Sequence, residues 1–180
     1  MTEFEDTQVL QVTEAAAPEL VAQLAALLTR ANWKLATAES CTGGLIAAAC
    51  TDLAGSSDWF ERGFVTYSND AKTELLGVAQ ALTENPGAVS EPVARAMAVG
   101  AVSRSKAQVS LAVTGVAGPT GGSPSKPVGT VWFGFATPKG VVTEMRRFTG
   151  NRAAVRSSAV THALKRLGEL VADAAGPTRT

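Results

Sequence analysis

Histidine and cysteine are both scarce in this sequence. Its 180 residues include one histidine and two cysteines, too few for a zinc site built from these ligands. Cys41 and Cys50 are nine residues apart, and if both lie on one helix that spacing corresponds to about 13 Å at 1.5 Å per residue. A disulfide requires Cα atoms within about 7 Å. We therefore expect two unpaired thiols, as is typical of a reducing compartment.

The sequence also lacks net charge, long apolar runs and a signal peptide. Sixteen basic and sixteen acidic residues cancel, which argues against a general nucleic-acid binder because such affinity comes mainly from neutralised phosphates. No uninterrupted apolar stretch is long enough to span a bilayer. The acidic start, residues 1–6, lacks the basic and then apolar segments of a secretion signal. We expect a cytoplasmic protein that binds neither nucleic acid nor a membrane.

Strand and helix patterns alternate along most of the chain. The predicted strands cover residues 33–38, 60–67, 108–114, 130–136 and 141–148, and the last two form a β-hairpin around a Pro-Lys-Gly turn. Helical patterns begin near Pro18, Leu45, Asn69, Ser90 and Asn151, with Asn69, Ser90 and Asn151 as N-caps. The sum predicts an α/β fold, a single three-layer domain with a mixed β-sheet flanked by helices. We place this domain at residues 18–173, between a flexible extension (1–17) and a disordered tail (174–180).

Ser40 lies in a turn between a predicted strand and a predicted helix, in the segment Thr-Ala-Glu-Ser-Cys-Thr-Gly-Gly. Backbone N–H groups in the first turn of a helix have no partner within the helix, so those of residues 41–44 could hold an oxyanion or a phosphate. Gly43 and Gly44 would allow close approach of a ligand. The alternative is that Ser40 or Thr42 merely caps the helix, and the spacing does not decide between the two.

A nucleophilic serine needs a base. The single histidine, His162, lies in the middle of the last helix, where a surface or packing role is expected, so a lysine or a carboxylate is the more plausible base. Lys72 follows the second predicted strand, and strand ends in α/β sheets are where ligands gather. Tyr67 could relay a proton or stack on a ring, and Glu39 could orient the lysine. The alternative is an ordinary solvated lysine on a short helix.

A glycine-rich loop and two arginines complete the candidate site. The loop spans residues 115–129, directly after Thr114, and matches neither a P-loop nor a dinucleotide-binding turn. Its length favours a function over a plain connection. Arg152 and Arg156 share a face in the first turns of the last helix, where the helix dipole disfavours cations. They either meet an anion such as a phosphate or are simply exposed at a small cost.

Several ordered segments together closely resemble the CinA C-terminal domain family, known as nicotinamide-nucleotide amidohydrolases. These segments are Ala38–Gly44, Gly55–Ser57, Val65–Lys72, Leu76–Val78, Gly87–Ser90, Thr114–Pro119, Lys126–Val131 and Gly150–Arg152. The similarity covers about residues 20–170. It implies deamidation of nicotinamide mononucleotide to nicotinate mononucleotide and ammonia, within pyridine-nucleotide recycling, without a metal or a cofactor. It also implies a homo-oligomer, with a dimer favoured.

The resemblance assigns a Ser–Lys mechanism to Ser40 and Lys72, with Tyr67 as a further catalytic residue. The substrate-binding residues expected around them are Glu39, Cys41, Thr42, Gly43, Gly44, Thr114, Gly115, Gly118, Arg152 and Arg156. One departure is visible, because Thr120 stands where the family often has an aspartate after Gly-Pro. That change removes a carboxylate from the expected site but leaves the Ser–Lys pair. The alternative function is a nucleotide-binding regulatory or competence-related module without hydrolysis.

Overall fold

The computed structural model describes residues 17–176, so the predicted extension lies outside the described residues except for Ala17. Of the predicted tail, residues 174 and 175 belong to the last helix, and residues 177–180 lie outside the described residues. The helices are α1 (Ala17–Ala31), α2 (Leu45–Thr51), α3 (Asn69–Leu76), α4 (Gln80–Leu82), α5 (Glu91–Ser103) and α6 (Arg152–Ala175). The strands are β1 (Leu35–Glu39), β2 (Phe60–Val65), β3 (Val109–Gly115), β4 (Thr130–Thr137) and β5 (Gly140–Arg147). Each predicted strand is present, with ends that differ by up to two residues.

The five strands form one mixed sheet in the order β2-β1-β3-β4-β5. Strand β1 pairs in parallel with both β2 and β3, whereas β4 is antiparallel to β3 and to β5. The hairpin therefore adds the antiparallel part, as predicted. Because β1, β2 and β3 run in the same direction, their carboxyl ends meet at one edge of the sheet, where a ligand site is expected.

Helices cover both faces of the sheet, which confirms the predicted three layers. On one face, α1 and α6 pack over large apolar side chains such as Leu35, Leu111 and Phe133. On the other face, α5 packs over small residues such as Ala36, Ala38 and Ala112. Successive strand residues point to opposite faces, so β1 supplies both cores. Small side chains bring α5 so close that a Cβ at Gly134 in β4 would overlap the backbone of α5.

The cap of α3 differs from the prediction. Ser68, in extended conformation, is the N-cap, and its side chain accepts a 3.0 Å hydrogen bond from the N–H of Ala71. Asn69, the predicted cap, is the first helical residue. The other two predicted caps, Ser90 and Asn151, do precede their helices, although only Asn151 accepts a side-chain capping bond, from the N–H of Ala154.

Cys41 and Cys50 are both buried and unpaired, as their spacing predicts. Between residues 17 and 176, no helix combines the length and the apolar character needed to cross a membrane.

Candidate active site

Ser40 and Lys72 meet at the edge of the sheet where β1, β2 and β3 end. Ser40 follows β1 directly, and its N–H extends the sheet by donating to the carbonyl of Val113 in β3. The alternation along β1 turns Ser40 to the same face as Ala38, toward α3. Lys72, in the first turn of α3, places its Nζ 3.1 Å from Ser40 Oγ. Only 9% of Ser40 and 1% of Lys72 are exposed, so the pair is shielded from bulk water.

Lys72 is surrounded by backbone carbonyls. Its Nζ lies 2.9 Å from the carbonyl oxygen of Thr66, 3.5 Å from that of Tyr67 and 3.4 Å from that of Ser68. Among the described residues, no carboxylate forms an ion pair with it. Burial lowers the pKa of Lys72 from its ordinary value, while a thiolate at Cys41 would oppose that shift. The alternative of a solvated lysine is therefore wrong, and the neutral amine is favoured more than in an exposed lysine.

Glu39 lies on the opposite face of β1 and is fully buried. Its carboxylate accepts bonds of 2.7 to 3.1 Å from the Thr42 hydroxyl and from the N–H groups of Gly44, Ile46 and Ala47. Glu39 therefore caps α2, in a position where the helix dipole favours an anion. The prediction that Glu39 orients Lys72 is wrong, because neighbouring residues of a strand point apart. Both carboxylate oxygens are buried and already bonded, which leaves no free acceptor for the expected contact with substrate.

The cap of α2 also revises the interpretation of the turn. Gly44 is the N-cap residue, and neither Ser40 nor Thr42 makes a side-chain capping bond. The N–H of Gly43 donates to the carbonyl of Ser40 over 3.0 Å, and that of Gly44 donates to Glu39. Within the described part of the chain, the N–H groups of Cys41 and Thr42 have no acceptor. Of the four groups predicted to hold an anion, these two make no bond to the described residues, and Thr42 is fully buried.

Cys41 is next to Ser40 but is not a competing nucleophile. Its side chain is packed in the core beneath α1 and α6. Burial raises its pKa to about 11, an effect that the nearby charge of Arg156 only partly opposes. A thiol with so high a pKa is protonated near neutrality and therefore unreactive.

Tyr67 and Arg152 lie together beside this pair of residues. Tyr67 is 60% exposed, and its hydroxyl accepts a 2.9 Å bond from Arg152 Nη2. Arg152 Nη1 donates over 2.8 Å to the carbonyl of Gly118 in the glycine-rich loop. Because the Tyr67 hydroxyl is engaged by Arg152 and only its carbonyl faces Lys72, the geometry favours a ring-contact role over a proton relay. Arg152 links α6 to the loop and to the end of β2.

Arg156 has different partners from Arg152, although it lies one turn further along α6. Its Nε donates to the carbonyl of Cys41 over 3.1 Å, and its Nη2 donates to that of Thr42 over 3.0 Å. The side chain is half-buried. The two arginines, which the sequence groups together, therefore have different partners. Arg152 bonds to the glycine-rich loop, and Arg156 bonds to the turn that follows Ser40.

The remaining predicted residues lie at the end of β3 and in the loop. Thr114 is buried, and its hydroxyl donates to the carbonyl of Ala88 over 2.9 Å. Gly115 leaves no room for a Cβ, which would lie 2.8 Å from Val131. Both residues fix the backbone beside the site. Thr120 is exposed on the loop and makes no side-chain bond among the described residues.

Sequence reasoning missed two contributions made by the backbone. The carbonyl oxygen of Thr66, just after β2, is the backbone acceptor nearest to Lys72 Nζ. The carbonyl oxygen of Ala88 accepts the hydrogen bond from the Thr114 hydroxyl. A backbone carbonyl has no residue-type signal, so only the three-dimensional path of the chain reveals such contacts. Lys126, also unassigned, joins the loop to the same segment through a 2.6 Å bond to the carbonyl of Pro86.

His162 lies outside this site. His162 Nε2 lies 2.6 Å from Glu144 Oε1, and its ring packs at 4.8 Å from that of Phe133. It is the packing histidine that the sequence predicts. Between residues 17 and 176, no three His, Cys, Asp or Glu side chains are grouped closely enough to hold a metal ion.

Comparison with known proteins places this chain in a family. The model of the CinA C-terminal domain matches residues 17–171. The nicotinamide-nucleotide amidohydrolase PncC of Enterobacter agglomerans is 55% identical over 148 residues, which cover 82% of this chain and 90% of that protein. PncC of Escherichia coli K12 is 48% identical over 157 residues, covering 87% and 95% of the two chains.

A solved structure gives the same result at the level of the fold. The competence/damage-inducible protein CihA from Agrobacterium tumefaciens superposes with a TM-score of 0.83 at 42% sequence identity, covering 94% of this chain and 99% of the other. The region matched by the family model, residues 17–171, contains the whole sheet and every residue of the site described above. The chain belongs to the CinA C-terminal domain family.

Proposed function

We propose that this protein is a nicotinamide-nucleotide amidohydrolase, with Ser40 as nucleophile and Lys72 as general base. The substrate is nicotinamide mononucleotide, and the products are nicotinate mononucleotide and ammonia. The observation that carries the mechanism is the 3.1 Å contact between the buried Lys72 Nζ and Ser40 Oγ. The substrate rests on the relatives named nicotinamide-nucleotide amidohydrolase, two of which are 55% and 48% identical to this chain.

The first half of the reaction forms an acyl-enzyme. Neutral Lys72 takes the hydroxyl proton of Ser40, and Ser40 Oγ attacks the carboxamide carbon of the nicotinamide ring. The carbonyl oxygen becomes an oxyanion, which accepts hydrogen bonds from the N–H groups of Cys41 and Thr42. When the tetrahedral intermediate collapses, the C–N bond breaks and protonated Lys72 gives its proton to the departing nitrogen, which leaves as ammonia.

The second half returns the enzyme to its starting state. Lys72, neutral again, takes a proton from a water molecule that attacks the ester carbon. The oxyanion forms once more, the bond to Ser40 Oγ breaks, and Lys72 returns its proton to that oxygen. Nicotinate mononucleotide is released. The positive charge of the pyridinium ring makes the carbonyl carbon more electrophilic in both halves.

The rest of the substrate extends from Ser40 toward α6. Arg152 is the more exposed of the two arginines, and its partners are two neutral oxygens, the Gly118 carbonyl and the Tyr67 hydroxyl. A phosphate would be a stronger acceptor than either, because both partners of the bond would then be charged. We assign the phosphate to Arg152 and the glycine-rich loop, and the ring contact to Tyr67.

The direct test measures ammonia release from nicotinamide mononucleotide by the purified protein. We expect Ser40→Ala and Lys72→Met each to lose about 10⁴-fold or more in kcat, because the nucleophile and its base act as a unit. Ser103→Ala and Lys106→Met are matched controls, since both residues are exposed and lie at the opposite end of the sheet. A wild-type protein without turnover would refute the substrate, and an active variant would remove that residue from its role.

The competing function is a nucleotide-binding module without hydrolysis, suggested by the competence-related names of some relatives. Binding of nicotinamide mononucleotide with no release of ammonia would support it. For the proposed enzyme, we place the reaction in the cytoplasm and in pyridine-nucleotide recycling. Growth on the mononucleotide as a pyridine source, with and without the gene, tests that placement.

A further inference from the structure

Arg156 donates hydrogen bonds to backbone carbonyls of the turn that follows Ser40. A residue that served only to bind phosphate would not require these bonds. The Arg156 guanidinium donates to the carbonyls of two consecutive residues, Cys41 and Thr42, from a position 114 residues further along the chain than Thr42. It approaches so closely that a Cβ at Gly43 would lie 3.4 Å from Arg156 Nη2. The side chain is therefore already occupied by the turn that follows the nucleophile.

The chemical consequence depends on which atoms share a peptide group. The Cys41 carbonyl and the Thr42 N–H belong to the same peptide, so a charged donor on that oxygen withdraws electron density from that nitrogen. Hydrogen bonds polarise one another through a shared group and become stronger. The Thr42 N–H has no acceptor among the described residues, and it is one of the two groups assigned to the oxyanion. Arg156 thus polarises a donor that the proposed mechanism assigns to the oxyanion.

The second contact of Arg156 fixes the geometry of the same turn. The Thr42 carbonyl shares its peptide with the Gly43 N–H, which closes the turn by donating to the Ser40 carbonyl over 3.0 Å. The Thr42 hydroxyl is held from the other side by Glu39, at 2.7 Å. Thr42 is thus held at two points by groups of opposite charge, which limits the movement of its N–H during the reaction.

We infer that Arg156 is a positioning residue for the oxyanion site of the amide hydrolysis, and that Arg152 alone of the pair serves substrate binding. This inference rests on the proposed function. The two arginines then act at different steps of the reaction. Arg152 contributes to the complex with the ground-state substrate, whereas Arg156 contributes to the transition state, when negative charge has moved onto the carbonyl oxygen.

The experiment separates these steps by measuring binding and turnover independently. In a Ser40→Ala background, calorimetry gives the Kd of nicotinamide mononucleotide without hydrolysis. We expect Arg156→Gln to leave this Kd within about threefold and Arg152→Gln to weaken it by about tenfold or more, as for loss of a charge-assisted bond. With Ser40 present, we expect Arg156→Gln to lower kcat by about 10- to 100-fold, less than loss of an oxyanion donor.

Two further variants keep the test interpretable. Arg156→Lys retains the charge but not the two-point contact, so we expect kcat between those of wild type and Arg156→Gln. Arg30→Gln, an exposed arginine at the end of α1, is the matched control for both readouts, and urea unfolding checks that each variant is folded. An Arg156→Gln protein with weaker substrate binding and normal kcat would identify a phosphate ligand and overturn the inference, as would one unchanged in both. A wild type without turnover would instead refute the proposed function.

Discussion

At the scale of single residues, the site depends on a lysine that is almost completely buried. Lys72 is 1% exposed, next to Ser40 and three backbone carbonyls. In this position a proton on Nζ is disfavoured by burial, although the carbonyls offer it acceptors. Part of the amine population is thereby made available as a base at a pH where exposed lysines are charged.

This position predicts the direction of the pH dependence. Neutral Lys72 is the active form, so kcat/KM should rise with pH and level off above the pKa of Lys72. Because burial lowers that pKa, the midpoint should lie below the ordinary lysine value of about 10.4. A pH–rate profile of ammonia release measures it. Lys72→Arg is the control, since arginine keeps its proton and should be inactive throughout. A rate that falls as pH rises through this range would contradict a lysine base.

Glu39 and Ser40 show what the sequence could and could not predict at this scale. Their motif identifies the turn, and the family resemblance pairs Ser40 with Lys72. The orientation of Glu39 was missed because the strand was predicted to end at Ala38, which left both residues in the turn. Once β1 extends to Glu39, the period of two assigns them to opposite faces. The error was therefore one residue in an element boundary.

At the scale of secondary-structure elements, α2 begins on a carboxylate supplied by the preceding strand. The four donors that meet Glu39 include three backbone N–H groups of this short helix and its entry. A seven-residue helix is marginal by itself, so this cap and the packing of Ile46 and Cys50 are what stabilise it. The shape of the Ser40 turn depends on the same bonds.

A Glu39→Gln substitution should therefore cost far more than an ordinary surface change. The amide keeps one acceptor oxygen but turns an NH₂ group toward N–H donors, leaving buried groups without partners. We expect a loss of about 3 kcal/mol in the free energy of unfolding, measured by urea denaturation. Glu74→Gln, an exposed residue of α3, is the control, with an expected change within about 0.5 kcal/mol. Equal stability of the two variants would show that the cap contributes little.

The contact between α3 and α5 holds α3, and with it Lys72, in place. A Cβ at Gly100 in α5 would overlap the carbonyl of Leu76 at the end of α3. Gly100→Ala should push α3 outward, lower the free energy of unfolding by about 1–3 kcal/mol and reduce kcat by moving Lys72 from Ser40. Gly168→Ala in α6 meets nothing within 4 Å and should stabilise the protein by about 0.5–1 kcal/mol. Two glycine-to-alanine changes inside helices thus have opposite predicted signs, and equal signs would contradict this packing.

At the scale of the whole molecule, the pattern of elements was predictable and the contacts between distant elements were not. Alternating helices and strands, followed by a hairpin and one last helix, predict a mixed sheet with helices on both faces, and the fold has that form. The strand order, which brings β1 between β2 and β3, is not contained in local periodicity. The contact of Arg156 with a turn 114 residues away depends on that order, so the sequence could only group it with Arg152.

The oligomeric state is a prediction that belongs to this scale. The family resemblance favours a homodimer, and one chain has a mass of 18.5 kDa. Light scattering coupled to size-exclusion chromatography should give twice that mass over a range of protein concentrations. A mass of 18.5 kDa throughout that range would contradict the expected dimer.

The placement of Glu39 and Ser40 on opposite faces of β1 also limits where the gene can tolerate insertions and deletions. A single inserted or deleted codon within β1 would turn the side chains from that point to the end of the strand, and Ser40 after it, to the other face, exchanging the carboxylate under α2 with the hydroxyl beside Lys72. An even number of residues would preserve the faces but displace the turn from Arg156 and α3. In the loop of residues 116–129, neither an odd nor an even change in length has this effect. We therefore expect natural variation in length among related chains to collect in that loop and to be absent between Leu35 and Ser40.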